Sequence, residues 1–272
     1  MDGKNEQVPV FIFCYHKCGS KLFTNIFEQI AEIQRKSFKK LLGFQNYHLN
    51  EYDIVNFAHS QINVDALPQP FRGVHVVRDP RDVIVSGYFH HLRTNERWCT
   101  NQNHKTSNFV DFPQVPHSQK HKSEVWKQQY LRSLNGMSYQ ENLRDLDQEE
   151  GIQFELDRYG RWTTEDMENW SYDHPSVLEI KFEDVMSDYG DTFSKIFAHC
   201  GFNKSEIVNA LDVAEKHNIS NKNQVQLSEM PHVFSRETTR WHKYLSDGHK
   251  SIFKKRHQGV LEKLGYARDD HW

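Results

Sequence analysis

Seven consecutive residues, Tyr15-His16-Lys17-Cys18-Gly19-Ser20-Lys21, gather a glycine, a hydroxyl and two lysines into one short segment. These types suit an anion: glycine lets backbone approach a ligand closely, lysine neutralises charge, and a hydroxyl donates a hydrogen bond. The flanking residues fix where the segment lies. Val8 to Cys14 is almost wholly apolar and β-branched or aromatic, as in a strand buried on both faces. Leu22, Ile26 and Ile30 follow at helical spacing, with Phe23 and Phe27 beside them. The segment therefore reads as a turn from a strand into a helix. N–H groups at a helix N-terminus lack internal partners and carry partial positive charge, so the expected ligand is a phosphate or sulfate.

Two further strand ends carry polar groups. Residues 52–57 read as a strand ending at Ala58-His59-Ser60, and residues 71–77 as a strand stopped by Arg78-Asp79-Pro80. Asp79 suits a helix N-cap and Pro80 the first turn, which predicts an amphipathic helix over 81–92. Arg78 stands before that helix and Ser86 two turns into it, so the pair could hold a phosphate between them. Taken alone, Arg78 equally suits a surface ion pair with Asp79 or Asp82, and His59 a structural histidine at a strand end. In an open α/β sheet the strand C-termini face one crevice, which would bring Lys17, His59 and Arg78 together.

The remaining elements extend the alternation of strands and helices. The basic cluster Arg35, Lys36, Lys39 and Lys40 reads as a solvated face. Residues 93–122 are polar, with Pro113 and Pro116, and read as an irregular substrate-covering loop. Helical patterns resume over 123–134 and 138–170, and residues 93–175 would build the substrate pocket. A strand is predicted over 177–182, helices over 189–200 and 204–217, and a final helix over 247–265. The pattern implies an α/β fold: one domain over residues 1–272, with a central mainly parallel sheet flanked by helices and a P-loop-like strand–loop–helix phosphate site.

Bulk properties narrow the function classes. Hydrophobic residues make up only 37% of the 272-residue chain, but 18 Phe, 11 Tyr and 6 Trp supply bulky core material. A net charge of −3 gives no global field to attract nucleic acid, so positive charge acts locally. No apolar run reaches the length of a membrane span, and the polar start MDGKNEQ followed by a short apolar run reads as a first strand rather than a signal peptide. The four cysteines, Cys14, Cys18, Cys99 and Cys200, show no CxxC spacing, which points to packing roles and a reducing, cytoplasmic compartment. His90-His91 and the pair His117/His121 bring no carboxylate or cysteine at ligand spacing, so no metal is expected.

With these residues in hand, the chain resembles the sulfotransferases that use 3′-phosphoadenosine 5′-phosphosulfate (PAPS). The family's 5′-phosphosulfate loop, typically YPKSGT before a helix, is similar to Tyr15-His16-Lys17-Cys18-Gly19-Ser20. Its 3′-phosphate motif, R-D/N-P-R/K-D-x-x-x-S, is matched by Arg78-Asp79-Pro80-Arg81-Asp82-Val83-Ile84-Val85-Ser86. A strand followed by an ED pair resembles Ile180-Lys181-Phe182-Glu183-Asp184, and the C-terminal basic loop resembles Phe234-Ser235-Arg236-Glu237-Thr238-Thr239-Arg240-Trp241. The likeness spans most of residues 8–265. Departures are His16 for the usual proline, Cys18 for serine, Lys21 for a common threonine, and a C-terminal loop without the RKG glycines.

The resemblance implies PAPS as co-substrate and adenosine 3′,5′-bisphosphate (PAP) as product. Lys17 would neutralise the 5′-phosphate and the bridging oxygen, while backbone N–H groups of Cys18, Gly19, Ser20, Lys21 and Leu22 and the Ser20 hydroxyl hold that phosphate. Arg78 and Ser86 would take the 3′-phosphate together with Arg236, favoured over Arg240, which could instead cover Trp241. Phe182 and Ser220 are the adenine-side candidates. His59 stands where many cytosolic members place the general base, a group worth ~10²–10⁴-fold. An imidazole's ordinary pKa near ~6.5 leaves it mostly neutral at cytosolic pH. His16, His90 and His91 are candidates for the acceptor pocket, the last two also as reserve bases.

Two other classes begin with a similar strand–loop–helix. A P-loop nucleotide kinase requires G-x-x-x-x-G-K-[ST], and here the first glycine and the GK[ST] ending are missing. A nucleotide-binding scaffold with a degenerate site draws on the His16 and Cys18 departures, against the retained Lys17, His59, Arg78 and Ser86. The favoured acceptor is a small alcohol or amine-bearing metabolite, as in secondary metabolism. The carboxylates Glu141, Asp145, Glu155, Asp166 and Glu168 read as solvated helix faces before they read as a cation site. Neither a nucleic acid nor a membrane partner is expected, and a homodimer is compatible with the chain.

Overall fold

The structure, a computed structural model, describes residues 8–42, 49–59, 62–102, 111–114, 123–222, 237–269 and 271–272. Five short strands form one sheet: β1 (Val10–Cys14), β2 (Phe38–Leu41), β3 (Ile54–Phe57), β4 (Arg72–Val77) and β5 (Val177–Lys181). Their order is β2-β3-β1-β4-β5, and every pairing is parallel. The α/β class expected from the sequence is therefore the one observed, with an all-parallel sheet. The chain divides into two compact units, Met1–Arg78 with Asn169–Asn221, and Asp79–Glu168 with Lys222–Trp272.

The whole sheet lies in the first unit. β1 is central and buried along its length, which explains its continuous apolar run VFIFC. On one face, helix α1 (Ser20–Gln34) packs Phe23, Ile26, Phe27 and Ile30 against Phe193, Ile196 and Phe197 of helix Tyr189–His199. On the other, Phe11, Phe13, Phe57, Phe71 and Trp170 form an aromatic cluster, with Phe13 centred 5.2 Å from Phe57 and 5.1 Å from Trp170. Each such side chain contributes about 1.5–3 kcal/mol by leaving water. A buried polar link fixes the start of α1 on the sheet. Asn56 Nδ2 of β3 donates to Thr24 Oγ1 at 2.9 Å, and Thr24 Oγ1 donates to the Ser20 carbonyl at 2.7 Å.

The second unit is built around helix α2 (Pro80–His91), capped by the Asp79 side chain and begun by proline, as the sequence predicts. It packs on helices Tyr139–Asp145, Gln148–Asp157 and Tyr159–Glu168. Gly87 makes that approach possible, since a Cβ there would run into the Glu155 carboxylate. Trp98, Tyr139 and Tyr159 surround His91, with ring centroids 4.9, 5.4 and 5.0 Å away.

The Lys39-Lys40 pair of the basic cluster lies in β2, the edge strand, with Lys40 exposed and Lys39 Nζ 5.7 Å above the Tyr52 ring. Lysines on an edge discourage further strand pairing, which accounts for an unusually basic strand. The helical pattern over 138–170 is three helices. Asp147 caps the second through Glu150 N, and Arg158 leaves helical geometry before the third. The tail helix stops at Arg256 and restarts at Val260 after Gly259, whose φ of 78° breaks it. Within 93–122, a short helix Arg97–Thr100 interrupts the expected irregular stretch; residues 103–110 and 115–122, including His117 and His121, lie outside the described residues.

Candidate active site

The turn between β1 and α1 is the best-defined part of the site. Cys18 N donates to the Tyr15 carbonyl at 3.2 Å, closing the turn. Lys17 and Gly19 take left-handed backbone, with φ of 60° and 83°. A lysine in that region costs about 1–2 kcal/mol, a strain that recurs at ligand sites. Gly19 is needed twice over. Its φ favours glycine, and a Cβ would come within 2.9 Å of the Phe182 ring.

α1 begins without a side-chain cap and without an acid in its first turn. Helices Glu124–Ser133, Tyr139–Asp145, Gln148–Asp157, Lys204–Lys216 and Asp247–Arg256 are capped by Ser, Asp or Asn side chains, and Tyr189–His199, uncapped like α1, has Asp191 in its first turn. Phe23 N donates to Gly19 O at 3.0 Å, the first helical bond, so Ser20, Lys21 and Leu22 present N–H groups beyond the reach of the helix ladder. An anion is the partner this geometry suits. The Cys18 N–H is occupied by the turn itself, so the donor set begins after Cys18 rather than at it. The Cys18 thiol is buried, donates to the His16 carbonyl at 3.5 Å, and is pushed well up by burial despite nearby Arg78. It is a packing thiol.

Arg78 closes one side of the turn. Its Nη1 donates to the Lys17 carbonyl at 3.2 Å, and its guanidinium lies 5.2 Å from the Phe182 ring centre. Phe182 thus touches both Gly19 and Arg78, so three residues picked from distant parts of the sequence meet. Arg78 is buried, not the surface ion pair its motif alone allowed. His59 follows β3, half-buried, and its ring lies 6.2 Å from His16 and 30° from parallel to it. Ser220 is exposed on a short turn, Ile219–Asn221, where its N–H donates to Asn218 Oδ1 at 3.0 Å.

In the second unit, Ser86 is buried on α2 and Arg240 is buried with its guanidinium 5.7 Å from the Phe89 ring centre. The cation resting on Trp241 is not Arg240 but Arg81, 3.7 Å from the ring centre and 4.5 Å from that of Trp272. Arg81 also pairs with Asp79 at 2.7 Å, and Asp82 Oδ1 accepts from Trp241 N at 2.9 Å. The second Arg-Asp of the motif therefore holds the segment bearing Arg240. The sequence reading missed this role, although an Arg-Asp pair and a Trp-Arg neighbour are signals for stacking. Arg236 lies outside the described residues.

His90 and His91, expected at the acceptor pocket, each meet a carboxylate. His91 is fully buried, with Nδ1 2.8 Å from Glu155 Oε2, which also accepts from the Tyr139 hydroxyl at 2.8 Å. His90 Nε2 meets Glu96 Oε1 at 3.2 Å. Burial acts to raise the Glu96 carboxyl, but His90, His91 and the Trp98 N–H together hold it down at about 2. Glu155 and Asp166, read from sequence as solvated, are both core residues. Among the described residues no group of three or more His, Cys, Asp or Glu could hold a metal ion, and no helix is long and apolar enough to cross a membrane.

A parallel sheet with a helix N-terminus after its central strand is a frame on which phosphate and nucleotide sites recur at the strand C-termini. Residues 7–265 match the sulfotransferase domain family, and the chain belongs to it. No curated protein matches the chain. Among solved structures, a mouse sulfotransferase complexed with PAP is 14% identical, with 96% of this chain and 90% of that one covered and a TM-score of 0.46. Retinol dehydratase with androsterone and the inactive cofactor PAP is also 14% identical, covering 93% and 80%, with a TM-score of 0.47. The same enzyme with retinol and PAP gives 14% identity, 94% and 82% coverage, and a TM-score of 0.47.

Proposed function

We propose that this sulfotransferase uses PAPS and delivers the sulfuryl group to a hydroxyl or amine of a small-molecule acceptor, releasing PAP. The observation that carries the reading is the start of α1: no side-chain cap, no acid in the first turn, and left-handed backbone at Lys17 and Gly19 in the turn before it. The residues present fit the nucleotide's 5′ end. PAPS would supply an activated sulfuryl group on a phosphate leaving group. Lys17 would neutralise charge growing on that phosphate, and the N–H groups after Cys18 with the Ser20 hydroxyl would hold it. By the family motif, Arg78 and Ser86 with Arg236 or Arg240 would take the 3′-phosphate, and Phe182 and Ser220 would face the base. His59 would take the proton from the acceptor as the new bond forms.

The family match over residues 7–265 supports reading 1–272 as one sulfotransferase domain. Four buried cysteines, none in a disulfide, support a cytoplasmic setting. A homodimer is the assembly to test by light scattering. The direct test of function is incubation with PAPS and a panel of alcohols and amines, followed by mass spectrometry. A sulfo group on an acceptor with matching release of PAP is expected. PAPS left intact across the panel would contradict the reading.

A further inference from the structure

Beneath the turn that carries Lys17 lies a polar group that the proposed chemistry does not use. His75 of β4 is fully buried, and its cross-strand neighbour on β5 is Glu179. His75 Nδ1 lies 2.5 Å from Glu179 Oε2, and the Trp170 indole stacks flat on the imidazole, 3.9 Å between centres and 19° apart. Trp170 Nε1 donates to the other carboxylate oxygen, Glu179 Oε1, at 3.1 Å. The imidazole is thus held at Nδ1 by a carboxylate and over its face by an indole. Burial pushes its pKa down, with the hydrogen bond and charge of Glu179 acting the other way, and a carboxylate at Nδ1 favours the tautomer with the proton on that nitrogen. Among the described residues Nε2, also buried, has no hydrogen bond.

The clamped ring abuts Tyr15, the first residue of the anion turn. Tyr15 meets it edge-on, 5.1 Å between centres and 77° apart. Tyr172, tilted on the same imidazole at 5.7 Å, is hydrogen-bonded to Tyr15. The Tyr15 carbonyl in turn closes the turn by accepting from Cys18 N at 3.2 Å, with Lys17 inside it. A continuous path of contacts therefore runs from Glu179 through His75 to Tyr15 and the backbone of Lys17. We propose that His75 and Glu179 are positioning residues that fix Tyr15 and thereby hold Lys17 at the leaving phosphate. The dyad is not a catalytic base, because Tyr15 and Trp170 cover its ring. The inference rests on the PAPS reading for Lys17, and its structural half stands apart from that reading.

The test compares His75→Phe, Glu179→Leu and Glu179→Gln in the whole chain. Each is assayed for kcat per PAP-titrated site, for PAP affinity, and for amide hydrogen exchange over residues 15–21. His75→Phe and Glu179→Leu are expected to lower kcat at least tenfold while PAP affinity changes less than threefold, with faster exchange confined to the turn. Glu179→Gln keeps an acceptor for Nδ1–H and is expected to recover most of the lost kcat. A kcat per site equal to the wild type in either of the first two variants would overturn the proposal. So would exchange that rises evenly across the sheet, the mark of a merely structural role. If His75→Phe does not fold, Trp170→Phe, which keeps the stack and loses the bond to Glu179, gives the same readouts. Should the wild type bind no PAP, the PAPS reading fails, and the exchange comparison alone decides whether the dyad orders the turn.

Discussion

Gly19 meets two demands at once, a φ of 83° and contact with the Phe182 ring, and alanine satisfies neither. Gly19→Ala is expected to weaken PAP by more than ~1 kcal/mol, read by calorimetry, because the turn must shift to clear Phe182. His59→Ala is expected to lower kcat by ~10²–10⁴-fold with PAP affinity unchanged; full turnover would remove His59 as the base. Asp166 offers a pH test. Burial raises its carboxyl well above the ordinary value, with Glu165 adding to the effect. The folded state therefore keeps a proton that the unfolded chain releases, so stability falls as pH rises from the unfolded pKa near ~3.9 towards the folded one. Asp166→Asn is expected to stabilise the protein by more than ~1 kcal/mol at pH 7 and to lose that advantage below about pH 4 in thermal melts.

Single residues were unevenly legible in the sequence. Lys17, Gly19, Arg78 and Phe182 could be picked out because motif spacing ties each to a strand end, and the fold brings them together in one unit. His91 and Glu155 could not be read correctly. Their partners, Tyr139 and each other, come from separate helices, and a sequence gives no sign that a helix face rich in carboxylates is turned inward. The His75–Glu179 pair was invisible for the same reason, since its register is set by β4 and β5, about a hundred residues apart.

At the scale of elements, α1 joins the anion turn to the core. Its Phe27 is fully buried, with its ring 5.9 Å from Phe197. Phe27→Ala is expected to destabilise the protein by about 3–5 kcal/mol in denaturant titration, whereas a surface change on the same helix would cost far less. Long, strongly periodic or continuously apolar elements were legible: β1, β4, α2 and β5 lie within a residue or two of their expected bounds, and α1 contains the apolar positions 22–30 that pointed to it and runs on to Gln34. β2 was not, because FKKL has no buried alternation and the lysines that protect an edge hide the strand. The breaks near Asp147 and Arg158 were missed because apolar periodicity continues across them, while local capping decides where each helix stops.

At the scale of the whole molecule, family membership and fold class agree with the expectation built from motifs and strand–helix alternation. The acceptor was not legible: within the stretch expected to build its pocket, residues 93–122 are polar and without periodicity, and 103–110 and 115–122 lie outside the described residues. The nucleotide is the more accessible half of the problem. A ligand that binds only the folded chain stabilises it by about 2.7 kcal/mol at a hundredfold excess over its Kd. Calorimetric titration with PAP and with ATP, on the wild type and Arg78→Ala, is the most direct measurement. Micromolar-class binding of PAP, little of ATP, and a loss of ~1.5–3 kcal/mol for PAP in Arg78→Ala are the expected results. Preference for ATP, or PAP binding that ignores Arg78, would contradict PAPS as the sulfuryl donor.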